Sequence, residues 1–130
     1  MKTLAFATPS NVTVAVAPGT VVLTLGTVAG CNLLDARIKN VSGGAVTGFK
    51  LQLQARLGGE WDDYIVDAGW TSLVNPNLRW VYPATGPHVL AATEACRVQV
   101  RLNGAYAARF HATSADGTTV MSIVGNIGNE

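Results

Sequence analysis

The stretch CRVQVRLNGAYAARFHA, residues 96–112, decides how this chain is read. Alternate side chains of a strand share a face. Cys96, Val98, Val100 and Leu102 form one apolar set, opposed by Arg97, Gln99 and Arg101. After Asn103-Gly104 a second apolar set follows: Tyr106, Ala108, Phe110 and Ala112. A two-residue Asn-Gly turn puts Val98 and Val100 on the face of Ala107 and Arg109, with Phe110 opposite. A three-residue loop, Leu102-Asn103-Gly104, pairs Arg101 with Ala105 and sets Val100 against Tyr106, Val98 against Ala108 and Cys96 against Phe110. Glycine takes the left-handed position of such a bulged turn at little cost. Face matching therefore predicts an antiparallel hairpin, apolar on one side, with Asn103 and Gly104 as its structural turn.

The same texture runs along the chain. NVTVAVAPGTVVLTL, residues 11–25, is two β-branched runs around Pro18-Gly19, a turn dipeptide. ARIKNVSGGAVTGFKLQLQARL, residues 36–57, is a strand to about Asn40, a Ser-Gly-Gly turn and a long strand. Phe49, Leu51, Leu53, Ala55 and Leu57 share one face of that strand, and Lys50, Gln52, Gln54 and Arg56 the other. Gly58-Gly59 leads into EWDDYIVDAGW, and Asn75-Pro76-Asn77 and Pro83 to Pro87 read as loops. Asp116-Gly117 turns the chain into a last strand, TTVMSIV. No apolar pattern holds helical spacing for three turns. The reading is all-β: a single-domain antiparallel β-sandwich, Ig-like or jelly-roll-like, of about eight to ten short strands.

Composition bounds the function. The chain has 130 residues, with 48% hydrophobic and 13% charged residues and a net charge of +1. That charge content is about half the usual share, so much of the surface is neutral and suits packing against other subunits. The near-zero balance argues against a nucleic-acid partner. Arg97 and Arg101, with Lys50 and Arg56 on another strand, are the one basic stripe. Gln52, Gln54 and Gln99 lie among them, so it reads as a solvated or subunit-facing sheet surface. The N-terminal apolar run is too short for a secretory signal, and no run nears the ~20 apolar residues of a membrane span. The expectation is a chain used in the cytoplasm, without a membrane partner. There Cys31 and Cys96 stay thiols. An immunoglobulin-type bridge fits poorly, because Glu94 stands where that fold has a Tyr two residues before the second Cys.

No residue group announces a chemistry. His88 and His111 lack a neighbouring nucleophile motif. Cys31, Cys96, His88 and His111 lack the spacing of a zinc site. Glu60, Asp62, Asp63 and Asp67 cluster after Gly58-Gly59 without the ladder of a calcium loop. No glycine-rich loop opens a helix to cradle phosphate. The expectation is no enzyme, with no catalytic residues, no cofactor and no metal. The aromatics remain. Trp61, Trp70 and Trp80 fall in one third of the chain with Tyr64 and Tyr82, as candidate interface or sugar-stacking residues. KNVSGGAVTGFKLQL, residues 39–53, resembles the hairpins of carbohydrate-binding modules, which would use such rings as platforms.

A wider resemblance covers about residues 36–126. IKNVSGGAVTGFKLQLQARLGGEWDDYI, a Trp/Pro-rich middle, and LAATEACRVQVRLNGAYAARFHATSADGTTVMSIVGN resemble small all-β virion structural proteins of tailed bacteriophages, the capsid decoration, cement and tail-associated sandwiches. The resemblance implies a virion subunit assembled in the host cytoplasm. It implies a homo-oligomer, a trimer before a dimer, bound to a major capsid protein or tail lattice. It also implies an N-terminal arm over residues 1–11, a sandwich over 12–126 and a C-terminal tail over 127–130. The alternative reading is a carbohydrate-binding module, also compatible with a tail.

Overall fold

The computed structural model describes residues 3–8, 11–26, 28–70, 75–82 and 87–129. Ten strands lie among them: β1 (Thr3–Ala7), β2 (Val12–Thr13), β3 (Thr20–Leu25), β4 (Leu33–Ser42), β5 (Val46–Gln54), β6 (Trp61–Val66), β7 (Leu78–Tyr82), β8 (Ala95–Arg101), β9 (Ala107–Ser114) and β10 (Val120–Gly128). They form two antiparallel sheets. One runs β1-β10-β4-β8-β7, with β2 continuing the β1 edge of β10, and the other runs β3-β9-β5-β6. Consecutive strands mostly change sheets. This is the path of a jelly roll, with β1 and β2 sharing one position and β7 added outside β8. The Ig-like option is set aside by that order.

The hairpin expected at residues 96–112 is corrected. β8 pairs with β4 and β7, and β9 pairs with β3 and β5. Val100 therefore stands opposite Leu34 and Leu78, not Tyr106. The turn itself is tight: the Ala105 N–H donates to the Leu102 carbonyl at 3.2 Å. Asn103 and Gly104 have φ of 51° and 80°, the two central residues of a type I′ turn. It joins the two sheets as an arch. Each strand keeps its apolar side inward from its own sheet, so no face match across the turn is needed. The turns at Pro18-Gly19, Gly43-Gly44 and Asp116-Gly117 also cross between sheets. Residues 39–53 are thus an arch as well, not the hairpin of a sugar-binding module. Gly58-Gly59, between β5 and β6, does close a hairpin.

The core fills the gap between sheets. Leu34, Ala36, Ile38, Cys96, Val98, Val100, Met121 and Ile123 face Phe49, Leu51, Ala108, Phe110 and Ala112, all buried. The Phe49 ring lies 5.3 Å from Trp70 and 5.6 Å from Phe110, tilted in both cases, a favourable aromatic arrangement. Both cysteines are free and buried. Cys96 stands opposite Ile38 on β4, whereas Cys31 precedes Leu33 at the far end of that strand. Five residues of strand separate those positions, roughly 17 Å, far beyond a disulfide's reach.

Two arches lock together at one end. Thr118 Oγ1 accepts from the Gly44 N–H at 2.9 Å and donates to Asp116 at 2.6 Å. Thr119 Oγ1 donates to the Gly44 carbonyl at 2.6 Å and meets Ser114 Oγ at 2.7 Å. Buried Asn40 adds bonds from Nδ2 to the carbonyls of Gly44 and Leu90, at 2.9 and 3.3 Å. The chain ends also differ from expectation. Thr3–Ala7, placed by the sequence in an arm, pair with β10, and β10 continues to Gly128. Residues 1, 2, 9, 10 and 130 of the expected arm and tail lie outside the described residues, as do 83–86 of the expected loop.

Candidate interaction surface

The aromatic group is brought to one edge of the sandwich, where β6 and β7 are the outer strands, but its members do different things. Trp70 closes a 3-10 turn, Asp67–Trp70, and is 1% exposed. Its indole N–H donates to the Phe49 carbonyl at 2.9 Å, so it belongs to the core. Trp80 packs against that core and donates to the Trp70 carbonyl at 2.6 Å. Trp61 is covered by the Arg109 guanidinium, 4.5 Å from the ring centre, and Arg109 is held by Gln52 at 2.7 Å. The Tyr64 hydroxyl donates to the Arg101 carbonyl at 2.7 Å and accepts from Asn103 Nδ2 at 2.9 Å. Burial pushes its phenol pKa up. Tyr82 is 44% exposed, its hydroxyl accepting from Arg37 Nε at 3.3 Å. Trp70 cannot serve as a stacking platform, and Trp61 and Trp80 are engaged by protein groups. The structural turn, Asn103 and Gly104, sits beside this edge through the Tyr64 bond.

The predicted basic stripe is regrouped. Lys50 lies on β5, in the other sheet from Arg97 and Arg101, and Arg56 lies in the turn after β5. The outward face of β4, β8 and β7 collects Arg37, Lys39, Arg97, Arg101 and Arg79. One carboxylate, Asp35, shares that face. Arg97 grips it with two bonds, 2.9 and 2.8 Å, and Gln99 adds a third at 3.1 Å. The guanidinium of Arg97 holds the Asp35 carboxyl below its ordinary pKa. Across β10 and β1 the face turns neutral, with Ala5, Ala7, Ser122, Val124 and Asn126. Sequence reading missed Asp35, Arg37, Lys39 and Arg79. The signal was the period-two alternation of LDARIK, whose partner strand β8 lies some sixty residues away.

The acidic cluster lies along β6 and its 3-10 turn. Asp63 pairs with Lys50 at 3.7 Å and accepts from Gln52 at 2.8 Å, and Asp67 accepts the Phe49 N–H at 3.0 Å. Among the described residues no three His, Cys, Asp or Glu side chains could hold a metal together. No described helix is long and apolar enough to cross a membrane. His111 faces outward on β9 beside Lys50 and Arg109. Burial, then those cations, lowers its pKa. His88 sits in the 3-10 turn Pro87–Val89, remote from it in sequence. Two clefts flank the Tyr64–Asn103 link. One, of about 280 Å³, is lined by Leu53, Tyr64, Leu102, Asn103 and the Asp62–Asp63 pair. The other, of about 210 Å³, is lined by Leu33, Asn77, Leu78, Arg79, Gln99 and Arg101.

Comparison with known proteins adds one finding. No family model and no curated protein matches the chain. Its fold is similar to the crystal structure of the SPBc2 prophage-derived protein YomS, with a TM-score of 0.58 and 11% identity. The likeness covers 96% of this chain and 93% of that one. At that identity it is the sandwich fold that is shared, over nearly the whole of both chains.

Proposed function

We propose that this chain is a virion structural protein of a tailed bacteriophage, a capsid decoration or cement subunit that stabilises the shell by packing against copies of itself and a major capsid protein. The carrying observation is the fold likeness to a prophage-derived protein over 96% of this chain and 93% of that one. The fold alone does not choose a function, since jelly rolls serve viral capsid and lectin domains alike. The face of β1, β10, β4, β8 and β7 favours assembly: it is broad, small-residued at one side and rich in arginine and Tyr82 at the other. Arginine and tyrosine are enriched in protein interfaces. A stable interface of this kind buries at least about 1,000 Å² in total.

The test is mass spectrometry of purified particles from the encoding phage, with light scattering of the isolated chain at micromolar concentration. Stoichiometric presence in particles and a trimer in solution are the expected outcomes. Tryptophan emission during titration with soluble glycans tests the sugar-binding alternative. A chain missing from particles, or a monomer whose emission shifts with a glycan, would overturn the assembly reading.

A further inference from the structure

Two parts of the surface, on different strands, are complementary in charge and shape. The first is the larger cleft, of about 280 Å³, between the start of β6 and the β8–β9 arch. Leu53, Ala55, Leu102 and Ala105 give it an apolar floor. Asp62 stands directly opposite Leu53, so the two side chains share a face, and the carboxylate borders the floor. Its neighbour Asp63 is occupied by Lys50 and Gln52. Among the described residues, every carboxylate accepts a hydrogen bond within the fold except those of Glu60 and Asp62. In the same hairpin Leu57 is 79% exposed. The second part is the outer strand β7. Arg79 alternates with buried Leu78 and so faces outward, and its guanidinium bonds to no described residue. Val81 and Tyr82 follow it at 43% and 44% exposure. An arginine beside exposed apolar and aromatic side chains has the composition of an interface core. The cleft supplies what that strip lacks: an apolar bed and an unused carboxylate.

We propose that Arg79 of one copy of this chain enters the Asp62 cleft of a second copy, with Val81 packed against Leu57. The proposal rests on the assembly reading and names the contact within it. Both halves of the match are on this chain, and they do not meet within one copy. The arginine stem lies along the apolar floor, and its planar head forks onto the Asp62 carboxylate. An ion pair open to water is worth little. Under a cover of Leu57 and Val81 the same pair is shielded and becomes an anchor of the interface. The two patches differ, so the contact is heterologous. Each copy gives its Arg79 to one neighbour and receives one from another, and a closed ring such as a trimer satisfies every pair.

The experiment is sedimentation velocity of the full chain over a micromolar concentration series, with charge reversal. Asp62→Arg and Arg79→Asp should each weaken self-association by about tenfold or more, the effect of losing an interface anchor. The double reversal should bring it back to within about threefold of the original, because it rebuilds the pair with the signs exchanged. Both side chains are exposed, so thermal melts of these variants should keep the original midpoint. Leu57→Ser should weaken association without touching a charge, and it carries the test if a reversal variant melts early. Lys39→Glu, on β4 of the same cationic face, should leave association unchanged. Reversals that the double variant does not rescue, or an equal loss with Lys39→Glu, overturn the pair. A trimer indifferent to both single reversals overturns the contact and leaves the assembly reading standing. A chain monomeric throughout the series overturns the contact too, and its presence in phage particles then decides the assembly reading separately. Reversals that spare the trimer but remove the chain from particles assign the two patches to the major capsid protein instead of a second copy.

Discussion

Gly43 and Gly104 both sit at positive φ, 89° and 80°, yet they should not cost the same to replace. A Cβ at Gly104 meets nothing within 4 Å, so Gly104→Ala bears only the backbone strain, about 1 kcal/mol. A Cβ at Gly43 would run into the Thr118 carbonyl and pry apart the two interlocked arches. Urea melts should rank Gly43→Ala as clearly the more damaging, and equal midpoints would refute the arch contact. His111 supplies a pH dependence. Its folded pKa lies below the ordinary value because of burial and the cations Lys50 and Arg109. The unfolded chain therefore binds the proton more readily. Stability is full above the unfolded value of about 6.5 and falls as pH drops through the window below it. His111→Gln should flatten that part of the stability–pH curve, and an unchanged slope would mean the imidazole is not the group responsible.

Among the elements, the 3-10 turn after β6 is worth more than its four residues suggest. Trp70 plugs the core between Phe49 and the β7 edge, and its carbonyl carries Trp80. Trp70→Ala should destabilise by about 3–5 kcal/mol, the range for emptying a buried aromatic site. Trp61→Ala loses only a ring stacked under Arg109 and should cost about 1 kcal/mol or less. Thermal melts of the two variants decide this, and a similar loss in both would show the edge to be packed differently. The β8–β9 arch has its own readout. Backbone NOEs should join Val98 to Ala36 and Trp80, and none should join Val98 to Ala108, the pair a hairpin would create.

For the whole molecule, Cys96 is a reporter. It is fully buried, and its thiol is pushed up to about 12 by burial, against a smaller pull from Arg37. The reactive species is the thiolate, so alkylation of Cys96 should occur only through unfolding and should track the urea melt; reaction at a free thiol's rate in native buffer would contradict the fold. The sequence by itself determined most of the strands, the turn sites and most inward positions of this protein, though not β1 at Thr3–Ala7, because alternation and Gly, Pro, Asn and Asp chemistry act over a few residues. Phe49, Leu51, Val98, Val100 and Phe110 face inward as their patterns say. Only the tertiary structure decided which sheet each strand joins. An arch and a hairpin use the same turn residues and the same alternation, and Asn103-Gly104 is at home in either. The choice lies in pairings such as Ile38 with Cys96 and Leu51 with Phe110, made by chain segments some sixty residues apart. The cationic face was illegible for the same reason: Asp35, Arg79 and Arg101 become neighbours only when β4, β7 and β8 pair, and that pairing is settled by the burial of the whole core.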